Sequence, residues 1–87
     1  MALKMRLKRL GRKGRPFYHV VVTDSRNARN GRFIEQVGHY DPAPELSLIE
    51  FNLDRVVHWY KVGARPSDSV AAMLRAKKID IATLAKN

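Results

Sequence analysis

Cysteine is absent from this chain of 87 residues, which excludes disulfide bonds and thiolate metal ligands and is compatible with a reducing compartment. Long apolar runs are also missing. The longest uncharged apolar stretch, Pro16 to Thr23, is far shorter than the roughly 20 residues that a membrane-spanning helix requires. Lysines and arginines interrupt the first ten residues, where a signal peptide would need an apolar segment. The sequence therefore predicts a soluble protein.

Acidic residues are scarce, with 8 aspartates and glutamates against 17 lysines and arginines, so the formal net charge is +9 at pH 7. The excess is confined to the first third of the chain. Residues 1–32 contain ten lysines and arginines and one acid, Asp24, whereas residues 33–87 contain seven of each sign. Because concentrated like charge costs stability unless a polyanion neutralises it, we expect a nucleic-acid partner, with an anionic membrane surface as the second candidate.

Residue alternation and branched side chains predict the strands. Aliphatic and cationic residues alternate over 3–8, so a strand there would place the aliphatics on one face and the charges on the other. Two further runs rich in branched and aromatic residues, 17–23 and 33–40, predict a ribbon, and residues 46–51 are a candidate edge strand. Two glycines predict a flexible basic loop over 11–16.

Capping residues and helical spacing predict two helices. Asn52 is the expected N-cap of the first helix, which Gly63 ends. Ser67 is the expected N-cap of the second helix, whose apolar stripe lies within residues 70–74. Trp59 widens the apolar side of the first helix, and we expect it to pack in the core and not to stack on a base.

Strands that precede helices, and lie too close together for crossover helices, predict an α+β fold. We expect a small, mainly antiparallel sheet of four to five strands, covered on one side by two helices, with the other side available. A chain this short buries only about 60% of its unfolded surface, so the core is small. We expect residues 1–79 to form a single domain and residues 80–87 to be a loosely held C-terminal tail or a marginal extra turn.

The usual catalytic constellations are missing. The glycines of residues 11–16 lack the spacing of a phosphate-binding P-loop, and the three histidines lie in different predicted elements without zinc-site spacing. Asp24, Glu35 and Asp41 flank the ribbon and would hold Mg²⁺ if the protein were a Mg-dependent nuclease acting on nucleic acid, which is the alternative function. Asp24 and Asp41 also fit local turns. We therefore expect no enzyme, no cofactor and no small-molecule substrate.

The remaining chemical signal is the set of cations interleaved with Phe17, Tyr18, Phe33 and Tyr40. Cations neutralise phosphates, and both guanidinium planes and aromatic rings stack on unpaired bases. The predicted helices are charge-balanced, which weighs against a recognition helix in a DNA major groove. The pattern favours RNA recognised by its shape, with part of the aromatic set serving the core.

Five ordered segments resemble the bacterial-type small-subunit ribosomal protein sixteen family. They include Arg-Pro-Phe-Tyr, a long segment containing Ser-Arg-Asn-Ala-Arg-Asn-Gly-Arg, and Val-Gly-His-Tyr-Asp-Pro. The resemblance covers about nine-tenths of the chain, although Lys8 stands where members of that family usually have a small residue. The matching segments lie at 15–18, 21–35, 37–42, 53–59 and 63–70.

The resemblance implies an α+β structural protein of the small ribosomal subunit that binds small-subunit rRNA in its 5′ and central regions and supports assembly. Neighbouring small-subunit ribosomal proteins would be further partners, with no membrane partner, in a cytoplasmic or organellar ribosome. The amino-terminal sheet, its loops and the hairpin tip face RNA in that family. The RNA-binding residues implied here are Lys4, Arg6, Lys8, Arg9, Arg12, Lys13, Arg15, Tyr18, Arg26, Asn27, Arg29, Asn30 and Arg32.

The tip of the ribbon carries the sharpest expectation. Arg26, Arg29 and Arg32 are three residues apart in a segment whose Asn30-Gly31 pair suits a hairpin turn. Because a planar guanidinium matches phosphate oxygens and the tip has no core to serve, we expect each arginine to reach a phosphate or a base edge of folded rRNA.

Overall fold

The computed structural model describes residues 2–12, 14–26, 32–42 and 48–86. In these ranges the chain forms one five-stranded sheet and three helices. None of these helices is long and apolar enough to cross a membrane. The elements are β1 (Leu3–Arg12), β2 (Arg15–Asp24), β3 (Glu35–Asp41), β4 (Leu48–Phe51), α1 (Leu53–Lys61), β5 (Arg65–Pro66), α2 (Asp68–Ala76) and α3 (Ile81–Leu84). The strand order in the sheet is β4-β3-β2-β1-β5.

The two longest strands, β1 and β2, form a hairpin with no break in its antiparallel register, which ends at the pair Arg12 and Arg15. Two residues lie between that pair, and the second, Gly14, has a φ of +83°, a left-handed conformation that glycine adopts at little cost. The prediction of a flexible loop over 11–16 is therefore wrong, because most of those residues extend the strands. Lys13 lies outside the described residues.

The position of the fifth strand was not predicted. No strand was expected over residues 64–66, but β5 pairs in parallel with β1 at Lys4 and Met5. The next residue continues this contact, because the backbone N–H of Ser67 donates to the carbonyl of Met5 at 2.8 Å. Every other strand pair is antiparallel. The predicted α+β fold and mainly antiparallel sheet are thus confirmed, at five strands in the described part of the chain.

Both predicted helix caps are confirmed. The side chain of Asn52 accepts a hydrogen bond from the backbone N–H of Arg55, and Ser67 accepts one from Val70. Each bond satisfies a backbone donor that has no partner within the helix. Gly63 follows the first helix with a φ of +109°, as expected for a residue that ends a helix in the left-handed region.

The core lies between the sheet and the helices, which pack on one side of it. Trp59 is half-buried and packs against this core, so its predicted structural role is confirmed. A third short helix, capped by Asp80, places Ile81 in the same cluster. The core thus continues past residue 79, and the loosely held tail over 80–87 stays a prediction. The buried cluster contains Met5, Val20, Val22, Val37, Val56, Ala64, Val70, Met73, Leu74 and Ile81.

Candidate nucleic-acid interface

The side of the sheet opposite the helices, here called the open face, carries cations and rings. Met5 is fully buried against the helices, so the pleat directs its neighbours on β1 to the opposite side. Lys4 is exposed and Lys8 is half-buried there, as the alternation predicted. The cross-strand register adds side chains from β2 and β3 to this side. The open face comprises Lys4, Arg6, Lys8, Leu10, Phe17, His19 and His39.

The segment 32–34 crosses part of the open face before β3 begins. Thr23 Oγ1 donates to the carbonyl of Arg32 at 3.2 Å, and the N–H of Ile34 donates to the carbonyl of Val22 at 2.7 Å. These contacts bury Thr23 on a side that has no helix. They also explain why the third strand starts at Glu35 and not at residue 33.

Two aromatic rings remain accessible on this side. The ammonium of Lys8 lies 5.0 Å from the ring centroid of Phe33, and Phe17 contacts His19 with centroids 5.9 Å apart. Phe17 and Phe33 are each 38% exposed, so both rings keep accessible surface. Exposed rings next to cations are suited to stacking on bases beside neutralised phosphates.

The pKa of His19 responds to the charges that surround it on the open face. Partial burial, then the neighbouring His39 and Lys8, lower the pKa of His19 below its ordinary value. His39 in turn lies 3.4 Å from the carboxylate of Glu50 on the edge strand. A bound phosphate would favour the protonated form of His19 and so oppose this lowering of its pKa.

One cation of β1, Arg9, does not lie on the open face. Arg9 is paired with Tyr18 across the hairpin, and Tyr18 is paired with Tyr40 on β3. These three side chains lie on the helix-facing side, near the end of the sheet. They line a groove of about 650 Å³, here called the end groove. Its walls are formed by Arg6, Leu7, Arg9, Tyr18, Tyr40, Pro42, Ser67 and Ser69.

At the ribbon tip, Arg26 is bound by the neighbouring acid. Its guanidinium donates to Asp24 at 3.0 and 3.3 Å, and its backbone N–H also donates to that carboxylate. The side-chain hydrogen bond from Arg26 is the largest cause that lowers the pKa of Asp24. The Arg26 side chain is nevertheless 78% exposed, and Arg32 is exposed too. Asn27, Arg29 and Asn30 lie outside the described residues.

Two further predicted residues lie at the end of the β1–β2 hairpin. Arg12 and Arg15 form its last pair, so their backbones lie side by side. The structure therefore distributes the described members of the predicted RNA-binding set over the open face, the end groove and positions near the two ends of β2.

Two of the three carboxylates that were considered for Mg²⁺ bind arginines. Asp24 binds Arg26, and Glu35 receives two hydrogen bonds of 2.6 Å from Arg55. Within the described ranges no three histidine, aspartate or glutamate side chains group as a metal site would require. Because Glu35 binds a residue of α1, its side chain serves to join the sheet to that helix. No feature of these three acids favours a nuclease.

Comparison with known proteins agrees with the segments recognised in the sequence. The model of the ribosomal protein S16 family matches residues 9–67. The chain belongs to this family. The small ribosomal subunit protein bS16 of Anaeromyxobacter sp. (strain Fw109-5) is 57% identical over 79 residues, which cover 90% of each chain. The bS16 proteins of Myxococcus xanthus (strain DK1622) and Clostridium botulinum (strain ATCC 19397 / Type A) are 53% and 48% identical, over 86% and 93% of this chain and 87% and 99% of their own.

Membership of the ribosomal protein S16 family identifies the chain as a structural protein of the small ribosomal subunit and not an enzyme. The expected location in the cytoplasmic ribosome is confirmed, because the relatives are bacterial. Tyr40 was identified among the aromatic residues interleaved with the cations, but its place beside Ser67 and Ser69 in the end groove was not predicted. The register of the strands brings these residues together, and residue spacing alone does not reveal that register.

Proposed function

We propose that this S16-family protein binds the 5′ and central regions of small-subunit rRNA and supports their assembly. The observation that supports this proposal is the open face, where Lys4, Arg6 and Lys8 share one side of the sheet with the accessible ring of Phe17, and where Lys8 lies beside the ring of Phe33. The net charge of +9 comes entirely from residues 1–32, which include β1 and β2. Phosphate neutralisation and base stacking are therefore available on one rigid surface.

The ribbon tip forms a second part of the proposed interface. An exposed ion pair such as that of Arg26 with Asp24 contributes little stability, because solvent screens it. Exchanging the Asp24 carboxylate for an rRNA phosphate would therefore cost Arg26 little free energy. Arg29 and Arg32 would add two more phosphate contacts from the same segment. Neighbouring small-subunit proteins would then bind to the RNA surface that this protein stabilises.

The full-length protein and three separate transcripts test this proposal, one for each of the 5′, central and 3′ domains of small-subunit rRNA. We expect binding to the 5′-domain and central-domain transcripts to be at least about tenfold tighter than to the 3′-domain transcript, since specific sites exceed non-specific binding by such factors or more. All three transcripts should remain intact in millimolar Mg²⁺. Equal affinity for the three would reduce the interaction to that of any polycation and would overturn the proposal.

A further inference from the structure

The end groove differs in position from the open face and shares only Arg6 with it. It lies on the helix-facing side of the sheet, where Tyr18 and Tyr40 are direct cross-strand neighbours. Their rings stack with centroids 5.8 Å apart and an angle of 23° between their planes. Both rings are half-buried, so each keeps accessible surface inside the groove. The two rings therefore form an aromatic wall of a cavity of about 650 Å³.

The groove is open because the neighbouring elements stop short of it. β5 pairs with β1 only at Lys4 and Met5, and the chain then leaves the strand to begin α2. Beyond Met5, no strand of the described chain pairs with this edge of β1. Ser67 and Ser69, at the beginning of α2, also line the groove. The cavity is thus a consequence of the shortness of β5.

The chemistry of the groove suits one class of ligand. Arg6 and Arg9 line it beside the two rings, and the described residues that line it include no aspartate or glutamate. Arg9 is exposed and lies directly opposite Tyr18 in the strand register. A flat apolar surface flanked by guanidinium groups binds a base by stacking and the adjoining phosphate by charge-assisted hydrogen bonds. The Ser69 hydroxyl supplies a further polar group.

We propose that the end groove binds a single unpaired nucleotide of the small-subunit rRNA, with its base on the Tyr18–Tyr40 wall and its phosphate at Arg9. This site rests on the proposed rRNA-binding function and adds a contact on the side of the sheet that faces the helices. Tyr18 and Asp24 are six residues apart on β2, or roughly 20 Å at about 3.3 Å per residue. The nucleotide in the groove is therefore separate from the RNA held at the ribbon tip.

Leucine variants test the aromatic wall. Tyr18→Leu combined with Tyr40→Leu keeps apolar volume and removes both rings, so we expect affinity for the 5′-domain or central-domain transcript to fall about tenfold, in the range seen when a base loses its stacking partner. Tyr60→Leu, in the charge-balanced half, is the matched control and should bind as the wild type does. Arg9→Gln changes an exposed side chain outside the core, so it should weaken binding even if the double tyrosine variant fails to fold. Wild-type affinity in both Arg9→Gln and a folded double tyrosine variant would overturn the proposal.

The absence of cysteine allows a direct test of position. A Ser69→Cys variant carrying a tethered iron chelate should cleave the bound transcripts by hydroxyl radicals at a few nucleotides of one unpaired segment. Ala82→Cys, on α3, should cleave elsewhere. Cleavage from position 69 that falls only in duplex RNA would overturn the groove while leaving rRNA binding intact. If wild-type protein bound none of the transcripts, both the groove and the proposed function would be wrong.

Discussion

Glu35 and Arg55 are far apart in sequence, yet their side chains join β3 to α1 through two hydrogen bonds of 2.6 Å. The bond from Arg55 is the largest cause that lowers the pKa of Glu35 below its ordinary value of 4.5, and partial burial acts in the opposite direction. The indole of Trp59 also lowers this pKa, although its Nε1 completes no hydrogen bond in the described structure. Because the pKa is lowered in the folded state, the pair stabilises the fold above about pH 4.5 and loses this effect as the pH falls.

Glu35→Gln should therefore reduce the free energy of unfolding at pH 7 and make it less dependent on pH below 4.5. Neutral glutamine cannot release the proton that couples folding to pH. Urea unfolding between pH 3 and pH 7 measures this. In an Arg55→Gln background the same substitution should change the pH dependence much less, and an unchanged acid sensitivity in Glu35→Gln alone would show that the pair does not couple to folding.

Trp59 packs its ring against the core while its buried Nε1 makes no hydrogen bond with the described residues. Trp59→Ala should cost about 3 kcal/mol of unfolding free energy, the low end for removing a large ring, because this ring is only half-buried. Trp59→Phe keeps most of the ring contact and removes the N–H, so its cost should stay below about 1 kcal/mol. Thermal unfolding followed by circular dichroism compares the two variants.

A stable Trp59→Ala variant would assign a different role to this ring. If Trp59→Ala stayed as stable as the wild type but lost affinity for the rRNA transcripts, the ring would be a binding residue and its assignment to the core would be wrong. Equal destabilisation by alanine and phenylalanine would instead mean that the indole N–H makes an essential hydrogen bond.

Residues were predictable where their effect is local. Asn52 and Ser67 were identified as caps because a capping side chain bonds the backbone only three residues away. Arg9 was predicted to bind RNA, but its position on the helix-facing side was not predicted. The side that Arg9 faces depends on which residues of β1 point towards the helices and on how far the helices extend, and neither can be predicted from the sequence.

At the scale of elements, β4 approaches β3 so closely that Gly38 is required. A Cβ at this position would lie 2.5 Å from the backbone carbonyl oxygen of Glu50 and 3.1 Å from the ring of Phe51. Gly38→Ala should therefore push β4 away and cost about 1–3 kcal/mol, as overpacking does. Chemical denaturation of Gly38→Ala and of Gln36→Ala, an exposed change on the same strand, checks this. A cost no larger for Gly38→Ala would contradict the close approach.

Elements with a long periodic pattern were predictable, and short ones were not. The two main helices and the first four strands follow from residue spacing over several positions. β5 has two residues, one of them proline, and it exists because the chain returns alongside Lys4 and Met5. The four residues of α3 are too few to show a helical period, so the burial of Ile81 was also missed. In both cases tertiary contacts create the element.

At the scale of the whole molecule, segregated charge should make the free protein respond to salt. Residues 1–32 contain ten cations and one acid, so the cations repel one another. Salt weakens this repulsion, because the screening length falls from about 10 Å at 0.1 M to about 3 Å at 1 M. We expect the melting temperature of the free protein to rise over this range. Differential scanning calorimetry at several concentrations of a monovalent salt measures it. A steady fall in melting temperature would contradict a repulsive excess of charge.

The overall fold class and the side of the sheet left uncovered were predictable, because they depend on the order of elements and on the averaged alternation of β1. The pairing of Glu35 with Arg55, twenty residues away in sequence, could not be predicted. Nor could the assembly of the end groove from β1, β2, β3 and α2. Both require strand register and helix placement to be known together.

The central claim is that cations on the open face neutralise rRNA phosphates. The direct measurement is the slope of log K_obs against log[salt] for binding to whichever of the 5′-domain and central-domain transcripts binds more tightly. If Lys4, Arg6 and Lys8 each neutralise one phosphate, replacing all three by glutamine should make this slope shallower by about two to three units, at 0.7–0.9 per phosphate. The same change at Lys77, Lys78 and Lys86, exposed in the charge-balanced half, should leave the slope unaltered. Equal slopes for both triple variants, with wild-type circular dichroism, would contradict the assignment of the open face to RNA.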